Sequence, residues 1–202
     1  PARAWRPAVV ARLARTLGVV LHHLLMRRVV VTGGPGAGKT TLLAELAVRG
    51  YATVPESARE VIAARLAQNL PPRPDPFAFA NEILRKDDEK YHRPHRSGGT
   101  VFYDRSAVEG LAMVHEASPL SEEQLNVHLA AHNFYRTVFV LPPWQAIYVN
   151  DTERDHTFTH AVAVHGQIVL WYTRCGYQIN EVPCTEVEQR VNHVLQALAN
   201  DA

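Results

Sequence analysis

The sequence predicts an α/β protein of three layers, a five-stranded parallel sheet with helices packed on both faces. Three observations carry that expectation. From Arg28 onward, short β-branched runs alternate with helical stretches, the pattern of parallel strands joined by crossover helices. A glycine-rich turn separates the first apolar run from the first helix. The chain has 202 residues, enough for one well-filled α/β domain and short of two.

Arg28–Thr32 (RVVVT) reads as a buried strand, and Thr40–Val48 as the helix after the turn, with Leu42, Leu43 and Leu46 on its packed face. Tyr51–Val54 is a second short strand. Ser57–Gln68 follows as a helix whose apolar positions are Ala58, Val61, Ile62 and Leu66. Pro71–Pro76 (PPRPDP) excludes both helix and central strand and is a surface connection. Phe77–His92 is helical again. Most of its charges, Glu82, Arg85, Lys86, Asp87, Asp88, Glu89 and Lys90, are expected on a solvated face. Thr100–Asp104 (TVFYD) is the third strand, followed by helices over Ala107–Glu116 and Ser121–Asn133. The second of these opens with a Ser-x-Glu-Gln start. Arg136–Leu141 is the fourth strand, ended by Pro142-Pro143-Trp144. Asp155–Cys175 reads as mainly helical, Tyr177–Val182 as the fifth strand and Glu186–Ala199 as the last helix.

Composition narrows the function classes. Hydrophobic residues make up 47% and charged residues 20%, ordinary for a water-soluble globular chain. With 21 basic against 20 acidic residues the net charge is +1, which argues against a nucleic-acid coat while leaving room for a local basic pocket. Cys175 and Cys184 have no metal-type spacing and fit free thiols in a reducing cytoplasm. The pairs His128/His132 and His156/His160 lack an HExxH glutamate and are expected on helix surfaces. Pro1–Leu25 is arginine-rich and free of acids, but its apolar run at Leu17–Leu21 is too short to span a bilayer. Met26 stands directly before the first strand. Residues 1–25 are therefore expected to be an N-terminal extension outside the core, with the domain over 26–202 and no membrane partner.

The chemistry-bearing signal is Gly33-Gly34-Pro35-Gly36-Ala37-Gly38-Lys39-Thr40, a complete G-x-x-x-x-G-K-[ST] phosphate loop, with Thr41 next in the helix. Glycines let backbone N–H groups converge on phosphate oxygens, and the helix that follows points its positive end at the same anion. Lys39 should reach the β- and γ-phosphates, and the Thr40 hydroxyl should ligate Mg²⁺. No N-K-x-D guanine-reading motif is present, which favours ATP over GTP.

Other charged residues belong at the same carboxyl edge of the sheet. Asp104 ends the third strand and is the Mg²⁺-binding candidate, although an aspartate there also suits a helix cap. Arg105 follows it and could touch phosphate or tie down a carboxylate. Glu56, just past the second strand, could take the proton of an attacking hydroxyl, or serve as an acid at a helix start. Arg59 stands one turn on. Arg154, in the polar stretch Asn150–His156, suits a lid over the transferring phosphoryl group or a plain solvated loop.

With these residues assembled, the chain resembles a small P-loop ATPase family, an AAA-type domain family by name, over about Arg28–Leu198. The carriers are VTGGPGAGKTTL (31–42), GYATVPESAREVI (50–62), VFYDRS (101–106), VFVLPPW (138–144), NDTERD (150–155) and GYQINEVP (176–183). The resemblance implies a three-layer P-loop NTPase fold, closer to nucleoside and nucleotide kinases than to ring-forming AAA+ motors. VPESARE resembles the E-x-x-R-E stretch of ribosylnicotinamide kinases, and YDRS the acid-Arg-Ser motif of deoxynucleoside kinases. By that resemblance Glu56 matches the base or sugar-binding carboxylate, and Asp104 and Arg105 the acid–arginine pair near the phosphates. The departure is the lid, where Arg154 stands beside Asp155 without further arginines.

Two functions follow. In the first, ATP·Mg²⁺ donates its γ-phosphoryl group to a small hydroxyl-bearing, nucleoside-like metabolite, with Lys39, Glu56, Asp104, Arg105 and Arg154 as the catalytic set. In the second, the protein is a nucleotide-dependent switch or weak ATPase acting through a protein partner.

Overall fold

A computed structural model describes residues 26–93, 99–148 and 157–201. Its elements, in chain order, are β1 (Arg27–Gly33), α1 (Lys39–Val48), β2 (Ala52–Val54), α2 (Ser57–Ala67), α3 (Pro76–His92), β3 (Thr100–Asp104), α4 (Ala107–Ala117), α5 (Glu122–Ala130), β4 (Thr137–Leu141), α6 (Phe158–Arg174), β5 (Gln178–Glu181) and α7 (Val187–Asn200). A short 3₁₀ turn, Gln145–Ile147, follows β4. All strand pairs are parallel, in the order β2-β3-β1-β4-β5. The chain is thus an α/β protein with the three-layer P-loop fold.

The β-branched run at the start of β1 explains its central place. Val29, Val30 and Val31 are all fully buried, because a strand covered on both faces has no solvent side. Val29 and Val31 face the layer made by α1 and α7, packing with Leu42, Leu46, Val191, Val194 and Leu198. Val30 faces the opposite way, with Tyr103, Val138, Val140, Ile168 and Tyr172. A smaller cluster, Val61, Phe79 and Ile83, joins α2 to α3 and meets Met113 of α4.

Local chemistry sets most helix starts. Asp75 accepts from the Ala78 N–H with Pro76 in the first turn of α3. Ser121 and Gln124 form a full capping box on α5. Thr157 caps α6, so this helix begins at Phe158 and the earlier part of the expected Asp155 start lies outside the described residues. Among the described residues no helix is long and apolar enough to cross a membrane.

Two expectations change and a third is sharpened. Leu66 is 55% exposed and not part of the α2 core face. α5 stops at Ala130, and His132 beyond it is buried, its ring packed against Tyr91 and Phe134 and its Nδ1 at 3.0 Å from the His128 carbonyl. His132 is therefore not a helix-surface residue; Tyr91 and Phe134 supply the burial. The α3 charges are not all solvated either. Lys90 is buried, donating to the Pro55 carbonyl at 2.6 Å and pairing with Glu60 at 3.1 Å, and Asp87 meets Ser57. The helix turns these two residues toward α2, which a charge count along the sequence does not show.

Packing predicts two opposite outcomes on the apolar positions. Leu46→Ala should cost about 2–5 kcal/mol in chemical denaturation, whereas Leu66→Ala should stay within about 0.5 kcal/mol.

Candidate active site

The phosphate loop leaves β1 at Gly33 and enters α1 at Lys39. Gly36 and Gly38 have φ of 75° and 82°, a region glycine adopts freely. A Cβ on Gly33 would lie 2.4 Å from the Leu141 carbonyl oxygen, so only glycine lets the loop pass β4. Gly38 occupies the N-cap of α1 and offers no side-chain acceptor, leaving first-turn N–H groups of the helix to an incoming anion.

Lys39 is buried, and its Nζ donates to the carbonyls of Gly33 at 2.8 Å and Gly34 at 3.1 Å. Burial, then the nearby Arg105 charge, lowers its pKa to about 8. Thr40 and Thr41 are exposed in the first turn of α1.

Strand register delivers the acidic partners. Asp104 is opposite Val31, and the Arg105 N–H donates to the Val31 carbonyl at 3.0 Å, extending the ladder one residue. Arg105 then turns with φ 69°, a left-handed conformation, and its buried guanidinium reaches back over the sheet edge. It pairs with Glu56 at 3.2 Å, with Glu109 of α4 closely, and with the Gly33 carbonyl at 3.2 Å. Those two carboxylates hold it protonated far above its already high pKa, against the effect of burial. Glu109 is itself anchored, accepting from Thr32 at 2.5 Å and from the Tyr172 hydroxyl at 3.1 Å.

Glu56 stands at the N-cap of α2 without a capping hydrogen bond; its carboxylate goes instead to Arg105 and to Arg59 at 3.2 Å. Burial works to raise its pKa, but Arg105, Lys39 and Arg59 together hold it below the ordinary value, so it is ionised at neutral pH. Asp104 behaves oppositely. Burial, with Glu56 and Glu109 adding to it, raises its pKa despite Lys39 and Arg105, and its Oδ1 is buried without a hydrogen-bond partner. The cap of α4 is Ser106, whose Oγ accepts from the Val108 N–H at 3.3 Å, so Asp104 is not used as a cap. A bare, buried carboxylate oxygen is a hard donor of the kind that Mg²⁺ takes, and the exposed Thr40 hydroxyl at the start of α1 is of the same kind.

The structure thus gathers Lys39, Glu56, Asp104 and Arg105 at one sheet edge. Arg154 lies outside the described residues. Sequence pattern did not single out Glu109, Asp87 or Arg190. Glu109 had one available signal, its four-residue spacing from Arg105.

Asp87 adds a titration to the site. Its Oδ1 accepts from Ser57 Oγ at 2.5 Å, and burial pushes its pKa from 3.8 to about 6. Between those values the folded chain keeps a proton that the unfolded chain has lost, so each rising pH unit removes stability. Wild type should therefore lose about 2 kcal/mol relative to Asp87→Asn between pH 4 and pH 7. Urea melts of both proteins across that range check it; parallel curves would refute the burial argument.

Comparison with known proteins follows the same lines. A structure of deoxyadenosine kinase from M. mycoides with the products dCMP and a flexible dCDP matches at 13% identity and TM-score 0.58, covering 87% of this chain and all of that one (100%). The same kinase with bound dATP matches at 14% identity and TM-score 0.55, covering 86% of this chain and 99% of the kinase. NadR in complex with NR matches at 17% identity and TM-score 0.67, over 90% of this chain and 52% of NadR. At such identities the likeness shows the fold. No curated protein matches the sequence. The family model described as an AAA domain matches residues 28–190, and the chain, with its phosphate loop and sheet inside that span, belongs to the AAA domain family.

Proposed function

We propose that the protein is an ATP-dependent phosphotransferase whose acceptor is a small, hydroxyl-bearing, nucleoside-like metabolite. One observation carries this reading: an ionised Glu56 is held by Arg105 at the mouth of the phosphate loop, in the charge cluster that contains Lys39. A protein that only bound nucleotide would have no need of a carboxylate there. The likeness to deoxyadenosine kinase and NadR supports the same reading.

The roles divide by position. The loop N–H groups and the N-terminus of α1 take the β-phosphate region, and Lys39 exchanges its loop carbonyls for phosphate oxygens. The phosphate charge then restores its full protonation. Thr40 and Asp104 would hold Mg²⁺, which when bound supplies charge neutralisation between the β- and γ-phosphates. Glu56 accepts a hydrogen bond from the acceptor hydroxyl and takes its proton as the bond to phosphorus forms. Its low pKa suits a loose transition state, in which the proton leaves late. Arg105 orients Glu56 and offsets charge beside the Gly33 end of the loop. Arg154, outside the described residues, is assigned the role of charge stabiliser for the transferring phosphoryl group. The walls of the acceptor site come from α2, α3 and α4.

The test pairs ATP·Mg²⁺ with a panel of nucleosides and small alcohols. Acceptor-dependent ADP release is expected; slow release indifferent to every acceptor would favour the nucleotide-controlled switch instead. Glu56→Gln should lose about 10²-fold or more in transfer while ATP affinity, measured by calorimetry, changes little. Normal transfer by that variant would remove Glu56 from the mechanism. Lys39→Ala should weaken ATP binding itself, read in the same calorimeter.

A further inference from the structure

Arg190 sits in the first turn of α7 and is 4% exposed. Its Nη2 donates to the Ala37 carbonyl in the middle of the phosphate loop at 2.8 Å. Its Nη1 comes within 2.7 Å of the place where a Cβ on Gly38 would stand. The guanidinium also lies over the Trp144 ring, 5.7 Å from its centroid. Two segments distant in sequence, the start of α7 and the turn after β4, therefore close on the loop from one side.

This is an expensive place for a cation. The first turn of a helix carries the positive end of its dipole, which repels a guanidinium. Burial strips water from the charge and lowers its pKa, with only the Cys184 thiol acting the other way. Among the described residues no carboxylate forms an ion pair with it, and its Nε has no hydrogen-bond partner. Lys39 shares part of the pattern: it is buried, it donates to loop carbonyls, and among the described residues no carboxylate is in ion-pair contact with it. Arg105 differs, having two carboxylates. Two buried cations thus grip the backbone of one loop, one at Gly33 and Gly34 and the other at Ala37; Asp104, Glu56 and Glu109 act on Lys39 through space, whereas among the described residues no carboxylate offsets Arg190.

Peptide geometry links Arg190 to the phosphate side. Described peptide bonds are all trans, so the Ala37 C=O and the Gly38 N–H, on one rigid plane, point in opposite directions. Holding the carbonyl toward α7 aims the N–H away from it, across the loop.

We propose that Arg190 is a positioning residue of the nucleotide site, fixing the Ala37–Gly38 peptide so that its N–H faces the phosphates, with its own charge balanced by the bound polyphosphate. The proposal rests on nucleotide binding by the phosphate loop and not on phosphoryl transfer to an acceptor.

Calorimetry of wild type, Arg190→Met and Arg190→Lys with adenosine, AMP, ADP and ATP in Mg²⁺ tests it, alongside thermal melting of each nucleotide-free protein. Arg190→Met should lose about tenfold or more in ATP affinity, less for ADP, less again for AMP, and nothing for adenosine. Arg190→Lys should recover part of the ATP loss, because it keeps the charge and loses the planar fork. The nucleotide-free melting temperature of Arg190→Met should stay close to wild type, since an unpaired buried charge leaves together with its packing. A merely structural brace would instead lower that temperature and weaken all the nucleotides equally, which would overturn the proposal. So would an unchanged ATP affinity. If Arg190→Met does not fold, Arg190→Lys decides: a charge-graded loss supports the proposal and an ungraded one refutes it. Wild type that binds nucleotide but phosphorylates no acceptor would sink the phosphotransferase reading and leave this one standing.

Discussion

The Arg105 guanidinium is the joint on which the site is built. It is buried at the carboxyl edge of the sheet and bridges Glu56 beyond β2, Glu109 on α4 and the Gly33 carbonyl at the root of the phosphate loop. Through Glu109 the network continues to Thr32 on β1 and Tyr172 on α6. β1, β3, α4, α6 and the turn after β2 are therefore joined in one network around this side chain. Breaking such a pair leaves an uncompensated charge away from water, so removing any one of the three destabilises the other two. The cost is partly local: Arg105 adopts a left-handed backbone that non-glycine residues avoid, and the surrounding ion pairs hold it there.

Strand order explains why these groups meet. β1 lies in the centre, with β3 on one side and β4 on the other, so the loops leaving β1 and its neighbours open a crevice at the carboxyl edge. The register Val31↔Asp104 sets an acidic residue beside the phosphate loop, and Gly33↔Leu141 presses β4 against the loop's root. The field there is mixed. Lys39 and Arg105 favour anions, whereas burial, with the charges of Glu56 and Glu109 adding to it, holds back the ionisation of Asp104 and Asp87. That balance separates an ionised Glu56 from an Asp104 whose Oδ1 is buried and bare, two carboxylates given different chemistry by their neighbours.

Much of the fold was legible because its signals are local. The β-branched run RVVVT, the glycine turn and the leucines of the first helix each state their environment within a few residues. Five strands and most of their helices sit within a residue or two of their expected positions, the end of α5 and the start of α6 excepted. Misreadings arose where a residue's surroundings come from distant segments. Leu66 has apolar spacing but no element covers it, whereas His132 lies past a helix end and is buried by Tyr91 and Phe134. Asp87 and Lys90 look like members of a charged run, and only the approach of α2 makes them interior groups.

The sequence alone determined the phosphate loop, because its chemistry is carried by contiguous residues: glycines that free the backbone, a lysine, and a threonine at a helix start. It also determined that acids and arginines would lie at strand ends. Which of them meet was decided only by tertiary structure. Arg105 reaches Glu56 across 49 positions of chain, and Arg190 reaches Ala37 across 153, through strand order and helix docking. Charges separated that far in sequence interact only once the sheet is assembled, so their pairing, burial and pKa shifts are properties of the fold.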